Sequence, residues 1–191
     1  FSQATTFNLD EFVGLAPAHP GSYHSYMDRH LFAHVNLPPS RRWLPNGRAR
    51  NAAAEARRYD AAIAAAGGLD IAVLGIGANG HIGFNEPAPS LPAGTNVVRL
   101  TAASRRGNAE AFGGVISRVP THAISMGVGT MLSARHVLLL ATGAGKAEIV
   151  RAALEGPVTT RVPASLLQTH PRAVVVLDRA AAARLRRRPT S

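Results

Sequence analysis

The stretch Gly75 to Pro87, GIGANGHIGFNEP, sets His81 and Glu86 five residues apart in a run that also holds four glycines and two asparagines. An imidazole titrates near pH 6.5, so it can take up or release a proton at neutral pH, and a nearby carboxylate can orient the ring or balance its charge. The glycines Gly75, Gly77, Gly80 and Gly83 permit positive φ and let the main chain approach a ligand closely. A second stretch, TGAGK, brings Lys146 to an expected helix start, where backbone N–H groups and the helix dipole favour a phosphate. It has only half of the P-loop spacing, so nucleotide binding is not expected. A third stretch, NLDEF, places Asp10 and Glu11 at the end of a strand-like run. His30 and His34 are spaced to share a metal on one helix, but no third ligand accompanies them, so no metal site is expected.

Composition narrows the function classes. The 191 residues are 46% hydrophobic and carry a net charge of +10. Twenty of the 21 basic residues are arginine and Lys146 is the one lysine, which suggests a bias of Arg for Lys throughout rather than a nucleic-acid patch. The densest basic cluster, Arg184, Arg186, Arg187 and Arg188, reads as a solvated basic tail over 184–191. No aromatic-interleaved basic patch accompanies the charge, so no nucleic-acid partner is expected. No apolar run is long enough to span a membrane, so no membrane partner is expected either. The absence of cysteine excludes disulfides and thiolate chemistry and suits a cytoplasmic location.

These residues must be held by strands and helices in alternation. Thr5 to Phe12 reads as one strand, and Ser22 to Val35 as a helix. The segment from Asn51 reads as a helix capped by Asn51, filled by alanine and stopped by Gly67 and Gly68. The apolar runs IAVLGIG, HVLLLATG and AVVVLD read as strands buried on both faces, with KAEIVRAALEG as a crossover helix. The expected fold is α/β, a Rossmann-like, mostly parallel sheet with helices on both faces, forming a single domain over 1–191. Ligands of such folds bind outside the carboxyl ends of the strands, so NLDEF, the glycine turn and TGAGK are expected to face one crevice.

The run GIGANGHIGFNEP, together with FNLDEFVGL, MGVGTML and LEGPVTTRVPASLLQTHP, resembles the glucosamine-6-phosphate deaminase family from about Thr6 to about Asp178. The related 6-phosphogluconolactonases share a Gly-His turn but not the GFNEP after it. The resemblance implies a Rossmann-like fold, conversion of glucosamine 6-phosphate to fructose 6-phosphate and ammonia in amino-sugar catabolism, and no metal or organic cofactor. Its small-molecule partner would be an amino-sugar phosphate. Asp10 matches the residue that moves a proton between C2 and C1, with Glu11 beside it expected against the substrate. His81, Asn79 and Glu86 match the group that opens the sugar ring, and Lys146 matches a phosphate-binding lysine. Gly75, Gly77 and Gly80 are expected against the sugar. A 6-phosphogluconolactonase-like hydrolase and a non-catalytic sugar-phosphate-binding relative stand as alternatives, and a homo-oligomer is compatible with the sequence.

Three departures from the family pattern stand out. The chain opens on FSQATTFNLDEF without the upstream βα unit whose glycine loop holds the substrate phosphate, so it is expected to be N-terminally truncated. Glu110 falls where the family places a phosphate-clamping arginine, so either Arg105 or Arg106 substitutes or substrate affinity suffers. Asn79 stands where some members carry an acid and others asparagine, which reads as subfamily variation. The segment from Pro92 to Val119 is expected to form a mobile lid.

Overall fold

A computed structural model describes residues 1–186 of the chain; Arg187 and Arg188 of the expected basic tail lie outside the described residues. The strands are β1 (Thr6–Phe7), β2 (Asp10–Phe12), β3 (Arg42–Trp43), β4 (Ile71–Gly75), β5 (Asn96–Arg99), β6 (His122–Ser125), β7 (His136–Ala141) and β8 (Ala173–Leu177). The α-helices are α1 (Tyr23–Met27), α2 (Ala52–Ala65), α3 (Ala102–Gly107), α4 (Val128–Leu132) and α5 (Ala147–Glu155). No helix among the described residues is long and apolar enough to cross a membrane. The chain divides into two compact units, one built from 1–63 and 95–126, the other from 64–94 and 127–191.

The first unit contains a parallel pair, β1 with β3, and an antiparallel sheet in the order β2-β6-β5. The run expected as one strand from Thr5 to Phe12 is therefore two, broken at Asn8 and Leu9. The break has visible fastenings. Asn8 N–H donates to the Trp43 carbonyl, Met126 N–H donates to the Leu9 carbonyl, and the buried Tyr59 hydroxyl donates to the carbonyls of both Asn8 and Trp43. α1 continues as a π-helical turn over Asp28–Phe32, and Phe32 packs with Leu37 and Leu44 in a small buried cluster. α2 starts as expected, with the Asn51 side chain accepting from Ala54 N–H.

The second unit is a parallel sheet in the order β4-β7-β8. Mixed α/β architecture with mostly parallel pairing is thus what the chain adopts. The expectation that these strands are buried on both faces is corrected: Ala72, Leu74, Val137 and Leu139 are buried, but the alternate residues are not. Ile71 is 60% exposed, Val73 53%, Val174 56% and Val176 51%. Successive side chains of a strand point to opposite faces, and when both faces are apolar the sequence shows no alternation to reveal which one is covered.

The lid expected over Pro92 to Val119 contains β5, α3 and two 3-10 turns, tied together internally. The Arg105 guanidinium donates to the carbonyls of Val119 and Ile116, so it is committed to holding this segment rather than free for a phosphate. Arg106 is exposed. Part of the expected basic tail is likewise engaged, with Arg184 paired to Glu148.

Candidate active site

The glycine turn follows β4 directly. Ile82 and Phe84 are buried, and Asn85, also buried, closes the tight turn by donating from its main-chain N–H and its side-chain amide to the Ile82 carbonyl. Anchored by these residues, His81 and Glu86 flank the turn. The segment after α5 straps it: Ala164 N–H donates to the Gly80 carbonyl, and the Thr160 hydroxyl donates to the Ala88 carbonyl.

Within this frame the structure brings His81, Asn79 and Glu86 together. The Asn79 amide nitrogen donates to Glu86 Oε2 at 2.6 Å, and its Oδ1 faces His81 Nδ1 at 2.8 Å. Glu86 accepts only, so the Asn79 amide is oriented with its oxygen toward the ring. An amide oxygen also accepts only, so Nδ1 carries the hydrogen and Nε2 is left with its lone pair. Desolvation lowers the imidazole pKa below its ordinary value, and the Lys146 charge pushes the same way against the opposing pull of Glu86. Burial thus disfavours the charged form of His81, and the Asn79 contact selects the tautomer that leaves Nε2 bare. Asparagine suits this better than an acid would, because it orients the ring without stabilising the imidazolium.

The glycines divide by role. Gly80 has φ of 88° and Gly83 of 55°, as expected, but Gly75 and Gly77 are not in the left-handed region. Gly77 is needed for space, because the His81 ring lies over its α-carbon where a Cβ would be. At Gly75, the last residue of β4, a Cβ would meet nothing within 4 Å, so the main chain is open to a ligand there. Lys146 ends a 3-10 turn and leads into α5, and its Nζ donates to the Ile76 carbonyl at 2.7 Å. The turn after β4 and the TGAGK loop after β7 thus leave the carboxyl ends of neighbouring parallel strands, as the crevice rule predicts.

Asp10 differs from that expectation. It opens β2, in the antiparallel sheet of the first unit, opposite Ser125. It is half-buried, and desolvation together with the neighbouring Glu11 charge pushes its pKa up to about 7. Glu11 is 1% exposed, and both of its oxygens are occupied by protein donors, so this side chain does not face a substrate as the sequence suggested. His30 and His34 do not converge. The His30 ring lies against Tyr26, and His34 Nε2 bonds the Arg29 carbonyl. Sequence reasoning missed Asn85 and Thr160. Both lie inside motifs quoted above, but only their hydrogen bonds reveal what they hold.

Comparison with known proteins gives one consistent picture. The family model described as glucosamine-6-phosphate isomerases/6-phosphogluconolactonase matches residues 1–176. The chain is 48% identical to a glucosamine-6-phosphate deaminase of Geobacillus sp. (strain WCH70), over 93% of this chain and 70% of that protein. It is 50% identical to the glucosamine-6-phosphate deaminase of Rhodopirellula baltica, over 98% of this chain and 74% of that one. Among solved structures, a monomeric glucosamine-6-phosphate deaminase superposes with a TM-score of 0.91 at 46% identity, covering 95% of this chain and 75% of that chain. A 6-phosphogluconolactonase of Thermotoga maritima shares the fold, with a TM-score of 0.71 at 15% identity over 91% of this chain and 72% of that chain.

Proposed function

The chain belongs to the glucosamine-6-phosphate isomerase/6-phosphogluconolactonase family, and on that premise we propose that it converts glucosamine 6-phosphate and water to fructose 6-phosphate and ammonia. The high identity to deaminases supports this reaction over lactone hydrolysis. The observation within the structure that carries it is the imidazole of His81, locked in one tautomer by Asn79 and disfavoured in its charged form by burial.

The chemistry divides into two tasks. The pyranose ring must first open. Nε2 of His81 takes the proton of the anomeric hydroxyl and returns it to the ring oxygen, while the Nδ1–H bond to Asn79 steadies the imidazole. Glu86 holds Asn79 and balances the transient positive charge. The open-chain aldehyde then loses its C2 proton to the Asp10 carboxylate, and O1 takes up a proton to give an enolamine. Asp10 returns the proton at C1, which leaves an iminium at C2. Water adds to that carbon and ammonia departs. A carboxyl titrating at about 7 suits this shuttle, since it takes and gives a proton with similar ease near neutral pH. Every step moves a proton, water or ammonia, so the chemistry calls for neither metal nor organic cofactor. Lys146, at the head of α5 where the helix dipole favours an anion, binds the substrate phosphate. Gly75 gives the sugar close access to the main chain. A phosphorylated sugar does not cross membranes unaided, which points to a cytoplasmic reaction.

The test is ammonia release from glucosamine 6-phosphate, with Asp10→Asn as the blank and hydrolysis of 6-phosphogluconolactone run in parallel. Ammonia from the parent and none from the blank is the expected result. Lactone hydrolysis without ammonia would move the chain to the lactonase chemistry. Binding of the sugar phosphate without any turnover would make it a non-catalytic relative.

A further inference from the structure

Glu11 sits one residue from the proton-shuttling carboxyl but on the other side of β2, and its surroundings are unusually complete. Oε1 accepts from the main-chain N–H groups of Phe12 at 2.8 Å and Tyr23 at 3.3 Å. Oε2 accepts from the Ser22 hydroxyl at 2.6 Å and the His24 N–H at 3.3 Å. All four partners are donors, the pattern that suits a carboxylate with no proton of its own. Ser22 is the N-cap of α1, so this one side chain gathers the head of that helix onto the strand that carries Asp10. The Tyr23 ring stacks on Phe12 at 5.4 Å and reinforces the join. Space is reserved for it too: at Gly47 a Cβ would collide with the Phe12 carbonyl and crowd the Glu11 side chain.

We propose that Glu11 is a positioning residue for Asp10, acting without touching substrate: it clamps β2 to the head of α1 and keeps a fixed negative charge beside the carboxyl that moves the proton. An apolar residue here would leave four donors without their acceptor, and a substrate-binding residue would have an oxygen to spare. Glu11 has neither character. The groups facing the pair from the packed elements do not offset its charge. Tyr23 on α1 and Tyr59 on α2 are both held neutral, pushed well above the ordinary phenol range by burial and by the carboxylates. Opposite, β6 presents Ser125, Ile124 and Ala123. Glu11 is thus the charge that raises Asp10 beyond what desolvation does alone.

This inference rests on the deaminase reading for its catalytic meaning, but its central measurement needs no turnover. Carbon-13 carboxyl titration of the parent and of Glu11→Gln follows Asp10 directly. The amide keeps the shape and removes the charge, so the Asp10 midpoint is expected to fall by about one pH unit. In the parent, the Glu11 carboxyl signal is expected to move as Asp10 titrates, a sign of coupling that requires no variant. The acid limb of kcat for ammonia release should move down by the same amount, with KM within about twofold of the parent. Ser22→Ala, which leaves the charge in place, should lower Tm while leaving the Asp10 midpoint where it is. An unchanged Asp10 midpoint in Glu11→Gln, or no such movement of the Glu11 signal in the parent, overturns the proposal. So does a raised KM with a fixed pH profile, which would mark Glu11 as a substrate contact. If Asp10 shifts as expected and no form releases ammonia, the deaminase reading fails and the coupling stands.

Discussion

Gly77→Ala is the substitution whose consequence the geometry defines most sharply. The backbone at 77 is not in the left-handed region, so alanine is conformationally allowed there, and with fewer unfolded conformations to lose it should fold as well as glycine. The obstacle is the imidazole. The nearest atoms to an added Cβ would be Cε1, Nδ1 and Nε2 of His81, all inside contact distance. Non-bonded carbons settle at about 3.5–4.0 Å, so the ring must retreat by more than about 1 Å. It cannot do so and keep Nδ1 at 2.8 Å from Asn79, whose amide is itself fixed by Glu86. A displacement of about 1 Å at a proton-transferring group costs on the order of 100-fold in rate, close to 2.7 kcal/mol of barrier. The expected result is a roughly 100-fold fall in kcat for ammonia release, with KM and Tm close to the parent. Gly75→Ala is the natural companion, because a Cβ there meets no protein atom. Any rise in its KM then reports on the sugar rather than on the fold. Ammonia release by Gly77→Ala within about threefold of the parent would refute the reasoning, since it would mean that the ring's position over Gly77 does not matter to the chemistry.

Further predictions concern the charges. The Asp10 carboxyl titrates at about 7 in the folded chain against an ordinary value of 3.8, so the native state holds more protons between those pH values. Its contribution to stability is complete below the unfolded value and is lost as pH rises through 7. Asp10→Asn should therefore be more stable than the parent at pH 8, by on the order of 2–4 kcal/mol, with the gain fading toward pH 4 in denaturant melts. Lys146→Met should raise KM for glucosamine 6-phosphate by roughly 10–100-fold, the value of a charge-assisted hydrogen bond. It should also raise the His81 pKa, read by proton NMR, because the ammonium now pushes it down. Tyr59→Phe removes the hydroxyl that ties Asn8 to Trp43 and should cost about 1–2 kcal/mol in thermal stability, with the Asp10 titration as a check on local damage.

The sequence made some of this legible and hid the rest for physical reasons. GIGANGHIGFNEP announced its histidine and carboxylate because glycines and polar groups cluster only where a turn serves something. The tautomer lock was less visible: Asn79 next to a histidine reads as subfamily variation until its amide is seen bridging Nδ1 and Glu86. Asp10 lies on a different kind of strand from the one its sequence suggested. Its partner β6 lies far along the chain and is antiparallel to it, a pairing that no local pattern encodes. Glu11 looked like Asp10's twin in sequence, and the alternation of a strand sends the two in opposite directions. The uncovered face with Val73 and Val174 stayed hidden because valine is written the same way whether its face is covered or not.

The interleaving of the two units has a consequence for how the chain acquires its structure. Each unit is assembled from two separate stretches, with 64–94 set between the halves of one and 95–126 between the halves of the other. Asp10 pairs with Ser125, 115 positions later, so the strand that carries it has no sheet until most of the chain has emerged from the ribosome. Closing so long a loop is entropically costly and slow, and contacts of this kind delay folding more than they weaken the final state. The second unit waits as well, since β4 is made early but its neighbour β7 begins only at His136. Synthesis should thus hold both units open together and release them into folding nearly at once. A cut between residues 64 and 94 would remove neither unit cleanly but would cripple both.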